Sequence, residues 1–322
     1  MVLPASGNPL SLNQLHVEAG GTSETECSLN DADIRQIIGV SADGSQNIQQ
    51  YYGQSSSFAS FDEVLTADNT NTSVTNRYVS FSGGVSDGDV IIVLCYDSGN
   101  VPVSATPQID FGSYVTAPSA HQLLNLGSVY SMWWPHMHAF AIHVQAIVCN
   151  SSTANSFYWV PNDSYGKQCQ LVMLKYSTGG ATNVRFEGTV GGGRNAIGEY
   201  SSSLYPNTVI SGNQTIATST MASSYFSSSQ SVINIAAKGG DFTSSHDMTF
   251  SATGDSSGVI TDNGSRPTVN FQNQAHGHNY RFQYYTKQED KPSSGTYSNI
   301  TVTPGSYSSG GFTYFHAYMI IS

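Results

Sequence analysis

The chain has 322 residues, enough for two or three domains, and its 39% hydrophobic and 11% aromatic content supplies real cores rather than a disordered composition. Only 10% of residues are charged and the formal net charge is −11, which argues against a general affinity for nucleic acid or for an anionic membrane surface, because both need clustered Lys and Arg. No run approaches the roughly 18 consecutive apolar residues of a spanning helix, so no membrane insertion is expected, and no signal peptide is read at the start.

The first organised stretch is Leu10 to Gly53, where one small pattern occurs three times. Ser11-Leu12-Asn13-Gln14 opens a copy that ends at Gly20-Gly21, and Ser28-Leu29-Asn30-Asp31 opens one that ends at Gly39. Ser45-Gln46-Asn47-Ile48 opens the third, which ends at Gly53. The serines repeat at a fixed interval, 28 − 11 = 17 and 45 − 28 = 17. Ser11 with Gln14, and Ser28 with Asp31, have the spacing of a capping box, and a glycine closes each copy. Three short helices of about two turns each are therefore expected. Their apolar positions are Leu12, Leu15 and Val17, then Leu29, Ile34, Ile37 and Ile38, then Ile48, Tyr51 and Tyr52. Helices this short are marginal in water, and so small an apolar set should dock on the rest of the chain or on a neighbour.

This run resembles an N-terminal motif of virion structural proteins of tailed bacteriophages. The motif reads roughly I-S-L-N-Q-I-H-V-E-A-G-G, then S-L-N-D-x-D-I-R-x-L-I-G, then W/Y-Y-G. Leu10, Ser11 to Gly21, Ser28 to Gly39 and Tyr51 to Gly53 carry the match, over about one-sixth of the chain. The resemblance implies a tail fibre, tail-tip or baseplate-associated protein, assembled in the host cytoplasm and located in the virion. Ser11, Leu12, Leu15, Val17, Ser28, Leu29, Ile34, Ile37, Ile38, Tyr51 and Tyr52 would form its tail-attachment module. The implied partners are a neighbouring phage tail protein, other copies of itself (a trimer) and a host surface glycan or receptor. Closed symmetry is the usual state of such assemblies. A capsid decoration protein, and a carbohydrate-binding or depolymerising module, are the alternatives.

Residues 54–76 are polar and read as a linker. From Arg77 the pattern turns to strands: Tyr78 to Phe81, Val90 to Tyr96, Val129 to Trp134, Ala139 to Val148, Phe157 to Val160 and Cys169 to Tyr176. A second set follows in the same order. Val232 to Ala236 resembles Val90 to Leu94 at an offset of 142, His278 to Phe282 resembles His138 to Ile142 at 140, and Ala317 to Ile320 resembles Leu171 to Leu174 at 146. The expected fold is all-β. Two tandem antiparallel β-sandwiches, jelly-roll or Ig-like, would span 77–190 and 215–322, joined by a linker at 191–214 and preceded by the short helices of 1–53. The closing run Phe312 to Ser322 is apolar and should pair inside a sheet.

Residues with chemical potential are few. Cys27, Cys95, Cys149 and Cys169 lack metal-type spacing and are expected as free thiols, with a Cys149–Cys169 bridge as the alternative. His136 with His138, and His276 with His278, are candidate metal ligands, since His-x-His on a strand puts both rings on one face. Half-buried histidines at strand starts are the competing reading. Trp133, Trp134, Trp159 and Tyr280, with Tyr158, Tyr284 and Tyr285 beside them, are candidates for stacking on a glycan, against the ordinary fate of aromatics in cores. Gly-x-Ser-x-Gly occurs around Ser86 and Ser256 without the strand-then-helix context of a nucleophile elbow. No catalytic residue is assigned and no cofactor is expected.

Overall fold

The computed structural model describes residues 3, 9–19, 23–31, 34–35, 47–51, 59–69, 76–100, 113–133, 138–161, 166–178, 180–194, 200–202, 214–216, 231–241, 248–253, 260–262, 271–273, 278–289, 299–303 and 311–322. The fold is all-β, built from antiparallel sheets; among the described residues the helical turns lie in the N-terminal stretch.

The strands of the first half are β1 (Ala59–Asn69), β2 (Arg77–Ser80), β3 (Val90–Asn100), β4 (Tyr114–Thr116), β5 (Gln122–Trp133), β6 (His138–Val148), β7 (Ser156–Val160) and β8 (Gly166–Thr178). Those of the second half are β9 (Val184–Arg194), β10 (Tyr200–Ser202), β11 (Gln214–Ile216), β12 (Ser231–Asp241), β13 (Thr249–Thr253), β14 (Ile260–Asp262), β15 (Phe271–Asn273), β16 (His278–Glu289), β17 (Asn299–Thr303) and β18 (Gly311–Ile321). The first large sheet has the order β1-β8-β3-β6-β5-β10, and a small sheet has the order β2-β7-β4. The second large sheet runs β14-β16-β12-β18-β9, with β15 also on β16, and its small companion runs β11-β17-β13.

The two halves repeat one connectivity. In each, the strand beginning Val90 or Ser231 lies between two long strands, β6 and β8 or β16 and β18. With His138 set against His278, Cys95 falls on Lys238. Cys95 pairs with His143 and Leu171, and Lys238 pairs with Gln283 and Tyr314. The separations are then 238 − 95 = 143, 283 − 143 = 140 and 314 − 171 = 143. The expected offsets of 142 and 146 are corrected to 143. Side chains alternate along a strand, so an even offset for β3 onto β12 would set core-facing residues on opposite faces.

Strand β3 shows no alternation because both its faces are covered. Val90, Ile92, Leu94 and Tyr96 pack with Ile233, Ile235, Phe282, Phe315 and Met319 of the second large sheet. Ile91, Val93 and Cys95 pack with Val79, Val115, Phe157 and Trp159 of the small sheet. The main core therefore lies between the two large sheets and draws on both halves. A bulge between Phe61 and Glu63 lets β1 serve both layers: Ala59 and Phe61 join the first cluster, Leu65 and Ala67 the second.

The two large sheets run with the same polarity. Near the end of β3, Tyr96 stacks on Phe282 near the start of β16, with centroids 5.1 Å apart and planes 6° apart. At the other end the Ala59 N–H donates to Ser231 Oγ at 2.7 Å. The closing run is held as expected: β18 sits between β12 and β9, and the Ser322 N–H donates to the Asn183 carbonyl at 3.0 Å.

Two boundaries differ from expectation. Residues 54–76 are not simply a linker, because β1 lies within them and pairs along most of β8. Likewise β9 pairs with β18, so the change from one large sheet to the other falls at 179–183, between β8 and β9, and β10 lies within 191–214. Charged and small residues on these strands hide a ladder that only tertiary pairing reveals.

Candidate functional site

The segment with the repeated pattern closes on itself. Helix α1 (Leu12–Glu18) opens with a complete capping box: the Gln14 N–H donates to Ser11 Oγ at 3.2 Å, and the Ser11 N–H donates to Gln14 Oε1 at 2.7 Å. In the second copy the Ser28 N–H donates to Asp31 Oδ2 at 2.8 Å and the Asn30 N–H to Ser28 Oγ at 3.2 Å. The Arg35 N–H then reaches the Asp31 carbonyl at 3.0 Å, and Ile34 and Arg35 are helical. In the third, the cap is Asn47; Ser45 lies outside the described residues. The Asn47 N–H donates to Gln50 Oε1 at 2.7 Å, and the Gln49 N–H donates to Asn47 Oδ1 at 3.0 Å. A 3-10 turn, Ile48–Tyr51, follows in place of a two-turn helix. Asn and Ser cap equally well, so the serine period of 17 concealed the shift.

Leu15, Ile34 and Tyr51, one from each copy, are buried together with Leu3, and Leu10, Ala19, Cys27 and Leu29 pack against them. Burial pushes the Tyr51 phenol above its usual range, against the opposing pull of the Arg35 guanidinium. Val17 is half-buried. Leu12 and Ile48, the first residues after two of the caps, are each 36% exposed. Ile37, Ile38 and Tyr52 lie outside the described residues. Asn13 and His16, to which the sequence assigned no role, tie down the following turn. Asn13 Oδ1 accepts from the Glu24 N–H at 2.8 Å, and His16 Nε2 lies 2.7 Å from Thr25 Oγ1. Their only sequence signal was a polar residue on a helix beside a Gly-rich turn.

The other candidates fall in three places. His138 and His278 begin β6 and β16, at the shared-polarity end of the large sheets. His138 pairs with Trp133 and Asn100, and His278 with Asn273. Tyr280 lies two residues along β16, opposite Asp241 and Phe271. His136, Trp134 and His276 lie outside the described residues. Trp159 is fully buried, with the Arg77 guanidinium carbon 4.8 Å from the ring centroid, which removes it as a glycan contact. An inward position on β7 made it a core residue. Among the described residues no group of three or more His, Cys, Asp or Glu is arranged to hold a metal.

None of the four cysteines is in a disulfide, so the alternative Cys149–Cys169 bridge is not formed. The Cys149 N–H bonds to the carbonyl of Asp89 and Cys169 pairs with Asp97, so a length of β3 separates them. Eight residues of strand span about 26 Å, far beyond disulfide reach. Burial pushes the Cys149 thiol up to about 12, which suits a packing role rather than a nucleophile. Ser86 sits in the turn before β3, where its N–H donates to Asp89 Oδ2 at 2.7 Å; Ser256 lies outside the described residues.

Apart from Tyr158, the outer face of the small sheet gathers residues that the sequence did not single out. Tyr78, Tyr158 and Thr116 form one cross-strand row, Ser80 and Ser156 the next, and Tyr114 pairs with Val160 on the far side. Tyr78 is 72% exposed and its ring centroid is 4.9 Å from that of Tyr158. No family model matches the chain, and no curated protein or solved structure matches it.

Proposed function

We propose that this chain is a structural component of a tailed-phage particle, tail-associated as a fibre, tail-tip or baseplate protein. Residues 1–53 act as its attachment module. The observation that carries the reading is the closed N-terminal unit. The stretch that resembles the phage motif is also the stretch whose capping pairs and small core, Leu3, Leu15, Ile34 and Tyr51, are satisfied within itself. A unit built this way can be presented as one body to a neighbour, with Leu12 and Ile48 exposed on it.

We infer further that the body is two tandem jelly rolls, with seven strands of each in the two-sheet alternation and β5 of the first added to the large sheet beside β6. Strand orders β1-β8-β3-β6 beside β2-β7-β4, and β9-β18-β12-β16 beside β11-β17-β13, are the alternation that two interlocked Greek keys produce. Low charge and a broad buried seam suit a part that works by contact, in symmetric copies of three.

The test deletes residues 1–53 and counts the protein in purified particles by mass spectrometry. The truncated chain should stay folded and be absent from particles; incorporation at the full-length level would reject the attachment role. Light scattering on the full-length protein should give three times the 34.4 kDa of one chain.

A further inference from the structure

We propose that the outer face of β2-β7-β4 is a binding platform for a neutral carbohydrate, with the rings of Tyr78 and Tyr158 stacking on the sugar. This goes beyond the virion reading and does not rest on it. Tyr78 is 72% exposed and Tyr114 42%, in a chain whose other large aromatics among the described residues are mostly buried. A tyrosine that points outward from a sheet gains little from folding, so a cluster of them marks a contact surface. The Tyr78 and Tyr158 rings are 4.9 Å apart and tilted by 52°, a shallow angled seat rather than a closed stack.

The chemistry around the rings selects the occupant. Ser80, Ser156 and Thr116 flank them in the sheet register, so each row offers hydroxyls that both donate and accept. No outward-facing residue of the three strands is charged; Arg77 points inward onto Trp159. The face thus offers no counter-charge to an ionic partner, and the net charge of −11 repels polyanions. Of the anchors that protein interfaces favour, Arg, Met, Trp, Phe and Tyr, the face offers tyrosine alone, flanked by serine and threonine, which such hot spots under-use. A pyranose ring matches it in charge: uncharged, apolar on its C–H face and ringed by hydroxyls.

Affinity electrophoresis tests this on the full-length protein, in native gels cast with dextran, mannan or laminarin, and with heparin as the charged counterpart. At least one neutral polymer should retard the chain. Y78A with Y158A should weaken that retardation roughly tenfold, the effect of about 1.4 kcal/mol of lost stacking, while the thermal midpoint stays within a few degrees. Tyr158→Phe, which keeps the ring, should retain most of it. Free mobility in all three neutral gels, retardation by heparin alone, or retardation unchanged in the double variant would each overturn the proposal. Self-association abolished by Tyr78→Ala, without retardation, would overturn it by assigning the face to a second copy of the chain.

Discussion

The ring of Tyr96 lies against the backbone of Gly239. A Cβ built on that glycine would stand 2.2 Å from Cε2 and 2.4 Å from Cδ2 of the ring. Tyr96 belongs to the first large sheet and Gly239 to the second, so this approach sets how closely the two halves meet. The glycine is needed for space. The side of Tyr96 that Gly239 leaves open is shared with Phe282, which stacks on it.

Gly239→Ala should therefore destabilise the whole molecule, not one half. Overpacking a filled core costs about 1–3 kcal/mol. Urea unfolding should show a lowered midpoint with an unchanged slope. Adding Tyr96→Leu should make the pair less costly than the sum of its parts, because the two side chains compete for one space. A fully additive pair would show that the seam relaxes elsewhere.

Gln145 makes a second link between layers. Its side chain accepts from the Val115 N–H at 2.8 Å and donates to the Val115 carbonyl at 3.2 Å, acting toward β4 as another strand would. Gln145 is buried, and Val115 with it. Gln145→Leu keeps the bulk but leaves two buried backbone groups without partners, at about 1–3 kcal/mol. Amide exchange at Val115 should accelerate more than at Val93 on the paired β3. Equal acceleration at both would mean the loss is global.

His316 gives a pH dependence with a defined sign. It is buried on the β18 face turned away from the first half, between Tyr314 and Tyr318, with its Nε2 3.0 Å from Asn234 Nδ2. Burial lowers its pKa from 6.5 to about 3. The folded state therefore refuses a proton that the unfolded state accepts. Its contribution is complete above 6.5 and is lost as pH falls toward 3, at roughly 1.4 kcal/mol per pH unit. Asp97, whose pKa burial raises, pulls the other way, so the comparison must be between chains. His316→Gln should unfold with a flatter pH profile than the native chain between 6 and 4; identical slopes would remove His316 as the cause.

The all-β class was legible because runs such as Val90 to Tyr96 are too apolar and β-branched for anything but buried strands. The repeat was legible in order but not in register, since a resemblance between apolar runs does not report which face each residue takes. The polar face of the second half was hidden for the same reason. Lys238, Tyr314 and His316 occupy the places that Cys95, Leu171 and Met173 hold in the first, and all six are buried. At the candidate sites, the Ser11 box was readable from local spacing, whereas the Tyr78–Tyr158 seat depends on cross-strand pairing between residues far apart in the chain.

The third cap separates local pattern from local structure. Asn47→Ala should destabilise the N-terminal unit by about 1 kcal/mol, as Ser11→Ala should, because each frees a backbone N–H at the start of a turn. Ser45→Ala should have no effect, although Ser45 is the residue that keeps the interval of 17. Both caps support the shared cluster of Leu15, Ile34 and Tyr51, so loosening either should expose the same small core. Limited proteolysis within residues 10–51 reads this directly. Asn47→Ala and Ser11→Ala should be cut several-fold faster than the native chain, and cutting beyond residue 59 should be unchanged. If Ser45→Ala is cut faster and Asn47→Ala is not, the turn at 48–51 is held by the serine and the three copies share a strict period.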